Sequence, residues 1–391
     1  GIALLPIIFL VLLLSINVFI YGDDSLNGTN QFILILSGLF GASIGFIYKV
    51  SYKDILTSIS NSVKSVTGAL LILLFVGALA GTWMISGIIP SMVYYGLKIL
   101  DPNIFLPACI IICSIISVAT GSSWTTSATV GIALVGIGQA LGISAGMVGG
   151  AVISGAYFGD KLSPLSDTTN LAAAVTKVDL FKHIKYLTYT TIPSITITFI
   201  VFIILGFLQV SDGSTDNTYL LSAISEKFNI SLVLFIVPLL VLIMIIKKTP
   251  PLIALVIGTL TGALFSIIFQ PQIISELSSD SNSKLVNTYV VIMDTITGPI
   301  SIETNNELLN DLFSTGGMLG MLNTIFLVIG TMVFGGVMDA IGALKTISKT
   351  LLKWANTSFK LFASTVASCL ALNVSASDQY LSIVVSGKMF E

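Results

Sequence analysis

The chain of 391 residues is 54% hydrophobic and only 9% charged, and its mean hydropathy is +1.00. An ordinary soluble domain carries about 25% charged residues, so water is not the main solvent of this protein. All 17 basic residues are lysine, and the net charge is −2. The scattered lysines give no support to nucleic-acid binding, and the lack of arginine excludes a bidentate guanidinium clamp for an anion.

Apolar runs long enough to cross a membrane recur along the whole chain. A bilayer core about 30 Å thick needs roughly 20 apolar residues per helix. The first run lacks the basic region and cleavage site of a signal peptide, so it is the first span. The runs predict an all-α polytopic membrane protein of about 11–12 transmembrane segments, near 2–21, 31–48, 66–87, 103–120, 124–142, 146–158, 188–208, 230–246, 251–269, 316–340 and 361–377, with a last one starting near Tyr380.

Charge decides the orientation of these spans. Lysines gather in alternate loops, for example at 49–64, 177–185 and 345–360, whereas the opposite loops hold most of the acids. Cytoplasmic loops accumulate lysine, so the N-terminal end is predicted to be cytoplasmic, and the stretch 103–158 must cross an odd number of times. The long polar stretch from Gln270 to Ser314 reads as an external, solvated, amphipathic connection without a functional role.

Two short patterns recur in the same order along the chain. Residues 81–87 resemble 330–336, and residues 113–131 resemble 369–387. By the predicted sidedness the two copies cross the membrane in opposite directions, which is typical of the inverted-topology repeats of secondary transporters. Such repeats place ion and substrate sites near the midplane at broken helices. We therefore predict a first repeat at 1–208, an external connector at 209–229 and a second repeat at 230–391.

The first polar interruption at membrane depth is Thr120–Ser127. Its hydroxyl groups follow a glycine break, and polar groups at this depth are costly unless they line a cavity or bind something. Ser122, Ser123 and Thr126 are therefore candidate ligands for an ion or for an anionic group at a helix start. The alternative is that these hydroxyls bond to the preceding turn and merely bend the helix.

The second interruption is the segment Gly159–Asn170. Pro164 prevents a continuous helix, and Ser166 or Asp167 can cap the helix that follows. A carboxylate among neutral oxygens suits Na⁺, and a buried carboxylate can exchange that ion for a proton. The alternative is a cytoplasmic loop with an Asp cap. The candidate ligands in this segment are Asp160, Ser163, Asp167, Thr168 and Asn170.

The second half of the chain has a matching interruption at 373–380. Asn373 and Asp378 stand where the repeat places the first polar break. A carboxylate at membrane depth is functional by default, so Asp378 joins Asp167 as a predicted Na⁺ ligand. The alternative is a structural bridge between Asp378 and Lys388.

Three strings carry a family resemblance over most of the chain. They are Gly159-Asp-Lys-Leu-Ser-Pro-Leu-Ser-Asp-Thr-Thr-Asn-Leu171, Gly121-Ser-Ser-Trp-Thr-Thr126, and Asp378-Gln-Tyr-Leu-Ser-Ile383 with Gly387-Lys-Met-Phe390. Together they resemble the NhaC family of Na⁺/H⁺ antiporters. The resemblance implies a bacterial inner-membrane protein with inverted repeats that couples Na⁺ to protons. Some relatives are similar to malate–lactate exchangers, and others to amino-acid carriers.

The sequence departs from the family pattern in two places. Lys388 stands where an arginine is expected in the Gly-basic-Met-Phe string. Family members also continue into a second acidic, Ser/Pro-containing segment, and this chain stops at Glu391 before it. We therefore expect further residues beyond Glu391, and before Gly1 as well.

The leading hypothesis is electrochemical antiport by alternating access. Asp167 and Asp378 would bind Na⁺ or protons competitively, with Na⁺ and H⁺ as coupling ions and no resident cofactor. The rival hypothesis is ion-coupled transport of a small carboxylate or amino acid, whose negative end would meet Ser122 and Ser123. A channel is a further alternative. An enzyme is not expected, because the sequence has no nucleophile paired with a base and no nucleotide loop. The lipid bilayer is the expected environment, and a homo-oligomer is compatible with the sequence.

Overall fold

The computed structural model describes residues 2–99, 101–164, 166–208, 217–247, 249–278, 283–304, 307–343, 345–347, 357–376 and 383. These residues are helical almost throughout, which confirms the all-α polytopic class. Seven described helices are long and apolar enough to cross a membrane, and an eighth span results if a pair bent by 84°, Leu220–Lys227 with Leu232–Ile245, is counted as one. The protein is therefore a multi-pass membrane protein.

The described helices and strands follow one another in a fixed order. They are α1 (Leu5–Tyr21), α2 (Thr29–Ile47), α3 (Tyr52–Ile85), α4 (Ile88–Ile99), α5 (Pro102–Thr120), α6 (Ser123–Thr126), a π-helical segment (Ser127–Gly131), α7 (Ile132–Ala140), α8 (Ala145–Leu162), α9 (Asp167–Val175), α10 (Leu180–Leu208), α11 (Asn217–Lys227), α12 (Ile236–Ile246), α13 (Pro251–Phe269), α14 (Pro271–Leu277), α15 (Lys284–Thr297), β1 (Ile300–Ser301), α16 (Glu307–Leu312), β2 (Ser314–Thr315), α17 (Gly317–Gly320), α18 (Leu322–Ala340) and α19 (Ser358–Ala376). The structure also contains short 3₁₀ turns at Ile2–Leu4, Gly22–Leu26 and Leu232–Phe235.

Each of the eleven complete predicted spans contains helix, but two helices begin earlier than predicted. α3 starts at Tyr52 and α10 at Leu180, because the polar residues before their apolar runs include neither glycine nor proline and continue the helix. The predicted span 124–142 is divided among α6, the π-helical segment and α7. The predicted last span near Tyr380 lies outside the described residues.

The chain divides into two compact units. The first comprises Gly1–Leu71, Leu171–Val178 and Leu322–Glu391. Within it, α2 and α18 pack closely. A Cβ added at Gly38 would lie 3.5 Å from the Phe334 Cα, and one at Gly45 would lie 2.7 Å from the Ile341 side chain. The contacts advance in the same order along both helices, so the helices run parallel. Small residues at such an interface let two membrane helices approach closely.

The start of α3 packs in the opposite direction against α18 in this first unit. Ser58 Oγ donates to Asp339 Oδ2 at 3.0 Å, and Gly336 lies against the backbone of Ile59. The two helices therefore run in opposite directions, and the inverted repeat with its sidedness stays a prediction. The repeat boundaries themselves, at 208 and 230, stay a prediction.

The second unit comprises Ile72–Asn170 and Asp179–Met321 and contains the largest hydrophobic core. Its central pair is α5 and α8, which run parallel. A Cβ added at Gly155 would clash with the carbonyl oxygen of Ile110, and one at Gly159 would lie 2.5 Å from the carbonyl oxygen of Ser114. The two backbones therefore touch at both glycines, and α6, the π-helical segment and α7 form the return between them.

The segment Gln270–Ser314 corrects one prediction. Gln270, Leu309 and Phe313 are fully buried, and Leu309 and Phe313 belong to the main core of the second unit. β1 and β2 pair antiparallel, with Ile300 opposite Thr315. The prediction of a solvated linker is wrong, because apolar residues spaced along a polar sequence give this segment a buried side that its average composition hides.

We expect Gly155→Ala to destabilise the protein. The added methyl group would meet backbone that cannot rotate away, and overpacking of this kind costs about 1–3 kcal/mol. Gly146, on the first turn of the same helix, has open space around an added Cβ. Gly146→Ala is the matched control and should be neutral or stabilising by up to about 1 kcal/mol. Thermal unfolding of the purified protein in detergent measures both, and an unchanged midpoint for Gly155→Ala would contradict the contact between α5 and α8.

Candidate ion-binding site

Two helix breaks lie side by side in the second unit. α5 ends at Gly121, whose φ of +70° is left-handed and whose N–H donates to the Ser117 carbonyl at 2.8 Å. α8 ends at Leu162, and α9 begins at Asp167, beyond Pro164. Glycine adopts the left-handed conformation without a Cβ penalty, and proline lacks the N–H that would continue a helix. The predicted interruptions are thus two real breaks in the backbone.

Hydroxyl groups join the two breaks to each other. Ser163 Oγ donates to the Val118 carbonyl at 2.8 Å, and Ser117 Oγ donates to the Ala156 carbonyl. The last carbonyls of a helix have no partner within it, and lipid supplies no water to solvate them. Ser163, which is fully buried, therefore has at least one structural role: it satisfies the end of α5.

A buried carboxylate lies where the breaks meet. Asp160, on the last turn of α8, is 5% exposed, and the Ser123 hydroxyl at the start of α6 donates to its Oδ2 at 3.0 Å. An ionised carboxylate is expensive to bury unless a partner compensates it. A bound proton and a bound cation are two ways to remove that cost. Asp160 with Ser123 can therefore alternate between a protonated and a cation-bound state.

The break between α8 and α9 is braced by its own polar groups. Ser166 Oγ accepts from the Thr169 N–H at 3.3 Å and lies 3.0 Å from Thr168 Oγ1. Asn170 Nδ2 donates to the carbonyls of Pro164 and Ser166 at 2.9 and 2.7 Å. Ser166 is thus the cap of α9, one of the two caps that the sequence allowed. The amide nitrogen of Asn170 holds the turn in shape.

The predicted ligands fall into four groups. Ser123, Asp160 and Ser163 are brought together at the two breaks, and Thr168 and Asn170 lie in the neighbouring turn. Thr126 Oγ1 donates to the Ser122 carbonyl at 2.9 Å, which is the helix-bending bond of the alternative hypothesis. The side chains of Asp167 and Asn373, and the whole of Asp378, lie outside the described residues. Ion binding by any of these residues stays a prediction.

Comparison with known proteins adds an independent line of evidence. Residues 155–391, which include the second break, match the model of the Na⁺/H⁺ antiporter family. The chain belongs to this family. It is 37% identical to the malate-2H⁺/Na⁺-lactate antiporter of Bacillus subtilis, over 98% of this chain and 78% of that protein.

Two further relatives broaden the range of transported compounds. The Na⁺/H⁺ antiporter NhaC of Alkalihalophilus pseudofirmus is 35% identical, over 92% of this chain and 74% of the relative. The arginine/ornithine antiporter ArcD of Halobacterium salinarum is 34% identical, over 100% of this chain and 77% of that protein. No solved structure matches the chain. This family member is therefore a secondary transporter of the antiporter class and not an enzyme.

A cavity in the second unit was not anticipated from the sequence. Its volume is about 470 Å³, and Ser127 and Gly131 of the π-helical segment line it together with Gln139, Thr315 and Gly317. π-helical turns are frequent at functional sites of helical proteins. A signal was present: Ser314-Thr-Gly-Gly317 repeats the hydroxyl-and-glycine pattern of Thr120-Gly-Ser-Ser123, but it lay in the segment interpreted as a linker.

The hydroxyl of Thr315 gives a stability prediction for this cavity. Its oxygen is buried with no hydrogen-bond partner among the described residues, and such a group costs about 1–3 kcal/mol. Thr315→Val should therefore unfold at the same temperature as the wild type or higher. The control is Thr259→Val, which removes a buried hydroxyl that donates to the Leu255 carbonyl at 2.9 Å. This variant should lower the free energy of unfolding by up to about 1 kcal/mol. A lower midpoint for Thr315→Val than for Thr259→Val would refute the assignment.

Proposed function

We propose that this protein exchanges Na⁺ for protons across the bacterial inner membrane, with Asp160 as one of the carboxylates that hold the ions. The buried Asp160–Ser123 pair is the observation that carries the proposal. A Na⁺ ion prefers oxygen ligands, and a carboxylate supplies both the charge for Na⁺ and the affinity for a proton. Because one carboxylate cannot hold both at once, binding is competitive, which is the requirement for exchange.

In this scheme Asp167 and Asp378 complete the ion site. Asp167 begins α9, directly after the braced turn, and Asp378 follows α19 in the chain. Helix breaks at the site supply carbonyl and hydroxyl oxygens that strip water from the ion. Movement of the broken helices would then expose the ion to one side or the other. Na⁺ and H⁺ are the only coupling ions, and the scheme requires no resident cofactor.

The lysine-bearing ends set the proposed orientation. Lys49 lies just before α3 and Lys53 lies in its first turn. Lys182 and Lys185 lie near the start of α10. By the distribution of basic residues these ends are cytoplasmic, which also places the N-terminal end of the chain in the cytoplasm. Protons then enter from the outside, and Na⁺ leaves, whenever the proton gradient drives exchange.

The exchange proposal is tested with Asp160→Asn. We expect this variant to lose Na⁺-dependent proton flux by about tenfold or more, because the amide can neither bind a proton at neutral pH nor offer a negative charge to Na⁺. Proteoliposomes with an internal pH dye and an imposed Na⁺ gradient measure this flux.

The matched control is Asp101→Asn in the same helix pair. Asp101 caps α5 by accepting from the Asn103 N–H at 2.8 Å, and asparagine caps equally well. Asp101→Asn should keep its flux. Undiminished Na⁺-dependent flux in Asp160→Asn, or an equal loss in both variants, would rule out Asp160 as an ion carboxylate.

A second candidate function is the exchange of a small organic anion. The cavity of about 470 Å³ favours it, because a bare ion needs far less space, and the Bacillus subtilis relative is named for malate and lactate. Ser127 and Gln139 offer the cavity polar groups, while most of its lining is apolar. Such a mixture is typical of sites for small molecules with one polar and one apolar side.

Malate counterflow tests this second function. Proteoliposomes loaded with lactate should take up radiolabelled malate in a Na⁺- and pH-dependent manner. Gln139→Leu should reduce the uptake, because the cavity loses an amide donor, whereas Thr259→Val, which lies outside the cavity lining, should not. Na⁺/H⁺ exchange without any malate or lactate movement would assign the protein to pure cation exchange.

A further inference from the structure

A small polar groove lies between α8 and α10. We name it the α8–α10 groove. Its cavity has a volume of about 180 Å³, and its polar lining residues are Ser154, Tyr157, Lys161, Thr191, Ser194 and Thr198. Both helices belong to the second unit. The lining contains one amine and several hydroxyl groups and no carboxylate. A groove composed of hydrogen-bond donors without a carboxylate is suited to an anion.

Two hydroxyls of the groove, those of Thr191 and Ser194, lack a bond that other hydroxyls of the same helices make, including Ser154 and Thr198 of the groove itself. Threonines 188, 190, 196 and 198 of α10 each donate to a carbonyl three or four residues earlier, at 2.6 to 3.1 Å. That back-bonding is how a membrane helix ordinarily satisfies a hydroxyl. Thr191 and Ser194 make no such bond, and among the described residues they have no other protein partner. Their hydroxyls are available to a ligand.

Two further groups of the groove, Tyr157 and Lys161, are also available to a ligand. Within the described part of the chain, the Tyr157 hydroxyl makes no hydrogen bond and Lys161 makes no ion pair. One ammonium and three hydroxyl groups, none of them engaged by the protein, therefore converge on one groove.

The depth of the groove matches the level of lipid headgroups. Tyr186 and Tyr189 of α10 are 64% and 67% exposed, with ring centroids 6.0 Å apart, and they follow Lys182 and Lys185. Exposed tyrosines beside lysines mark the membrane–water interface. Thr191 comes two residues after Tyr189, so the groove opens just inside that interface.

The surface next to the groove faces hydrocarbon. Beyond Ser194, α10 exposes Ile197, Ile200, Ile204 and Phe207 within the second unit. These side chains would meet the acyl chains of a lipid whose headgroup occupied the groove. A soluble anion would gain nothing from them.

We propose that the α8–α10 groove binds the phosphate headgroup of an anionic phospholipid. Lys161 supplies the charge as a compact ammonium, which suits phosphate when no arginine is present. The hydroxyls of Tyr157, Thr191 and Ser194 donate to the phosphate oxygens, and the acyl chains lie along α10. A lysine-rich membrane face is also where anionic lipids concentrate.

Native mass spectrometry of the detergent-purified protein tests the proposal. Titration with phosphatidylglycerol and with phosphatidylcholine should show preferential retention of phosphatidylglycerol by the wild type. Lys161→Gln should weaken this retention by about fivefold, the equivalent of about 1 kcal/mol for one lysine near a membrane surface. Thr191→Val should weaken it in the same direction.

Three controls decide the result. Thr196→Val removes a back-bonded hydroxyl from the same helix outside the groove and should leave retention unchanged. Lys161→Arg keeps the charge and should restore most of the binding lost in Lys161→Gln, which separates a lost ligand contact from a folding defect. Equal retention of both lipids by the wild type, or equal losses in Thr191→Val and Thr196→Val, would overturn the proposal. A competition experiment distinguishes a lipid from a soluble anion. If millimolar glycerol 3-phosphate displaces phosphatidylglycerol completely and diacylglycerol, which has no headgroup, does not compete, the groove binds a soluble anion and the proposal is overturned.

Discussion

The backbone contact between α5 and α8 is the constraint on which the site depends. At Gly155 and Gly159 the two helices approach so closely that no side chain fits between them. This contact fixes the register of the pair, so that the end of α5 at Val118 meets the end of α8 at Ser163. The two breaks then share one level of the membrane. A larger residue at either glycine would separate the breaks and with them Asp160 and Ser123.

A membrane interior changes the cost of such breaks. Each break frees carbonyl and N–H groups that water would solvate in a soluble protein, and lipid cannot do so. The protein meets this cost with serine hydroxyls: Ser117 and Ser163 bond across the helix pair, and Ser166 caps α9. Once these structural demands are met, the buried carboxylate of Asp160, to which Ser123 donates, is the group at the breaks that can carry a charge.

The sequence predicts the positions of the helices better than the contacts between them. Apolar runs locate the spans because burial in lipid requires them, and proline and glycine locate both breaks. Helix ends at Tyr52 and Leu180 were missed, since polar residues can extend a membrane helix into water without any local signal. The Ser123–Asp160 contact joins residues 37 positions apart, and only the packing of α5 on α8 decides it. The pairing of β1 with β2 was missed for a similar reason, because it joins strands of two residues each that are separated by the whole of α16.

The C-terminal turn of α8 places two opposite charges on different faces of one helix. Asp160 is bonded to Ser123 at the helix breaks, whereas Lys161, the next residue, lines the groove against α10. Consecutive residues of a helix point about 100° apart, which is why one turn can serve two environments. Any movement of this turn changes both environments together, since the side chains share one backbone. In the scheme proposed above, ion binding at Asp160 and headgroup binding at Lys161 are therefore linked through the backbone of α8.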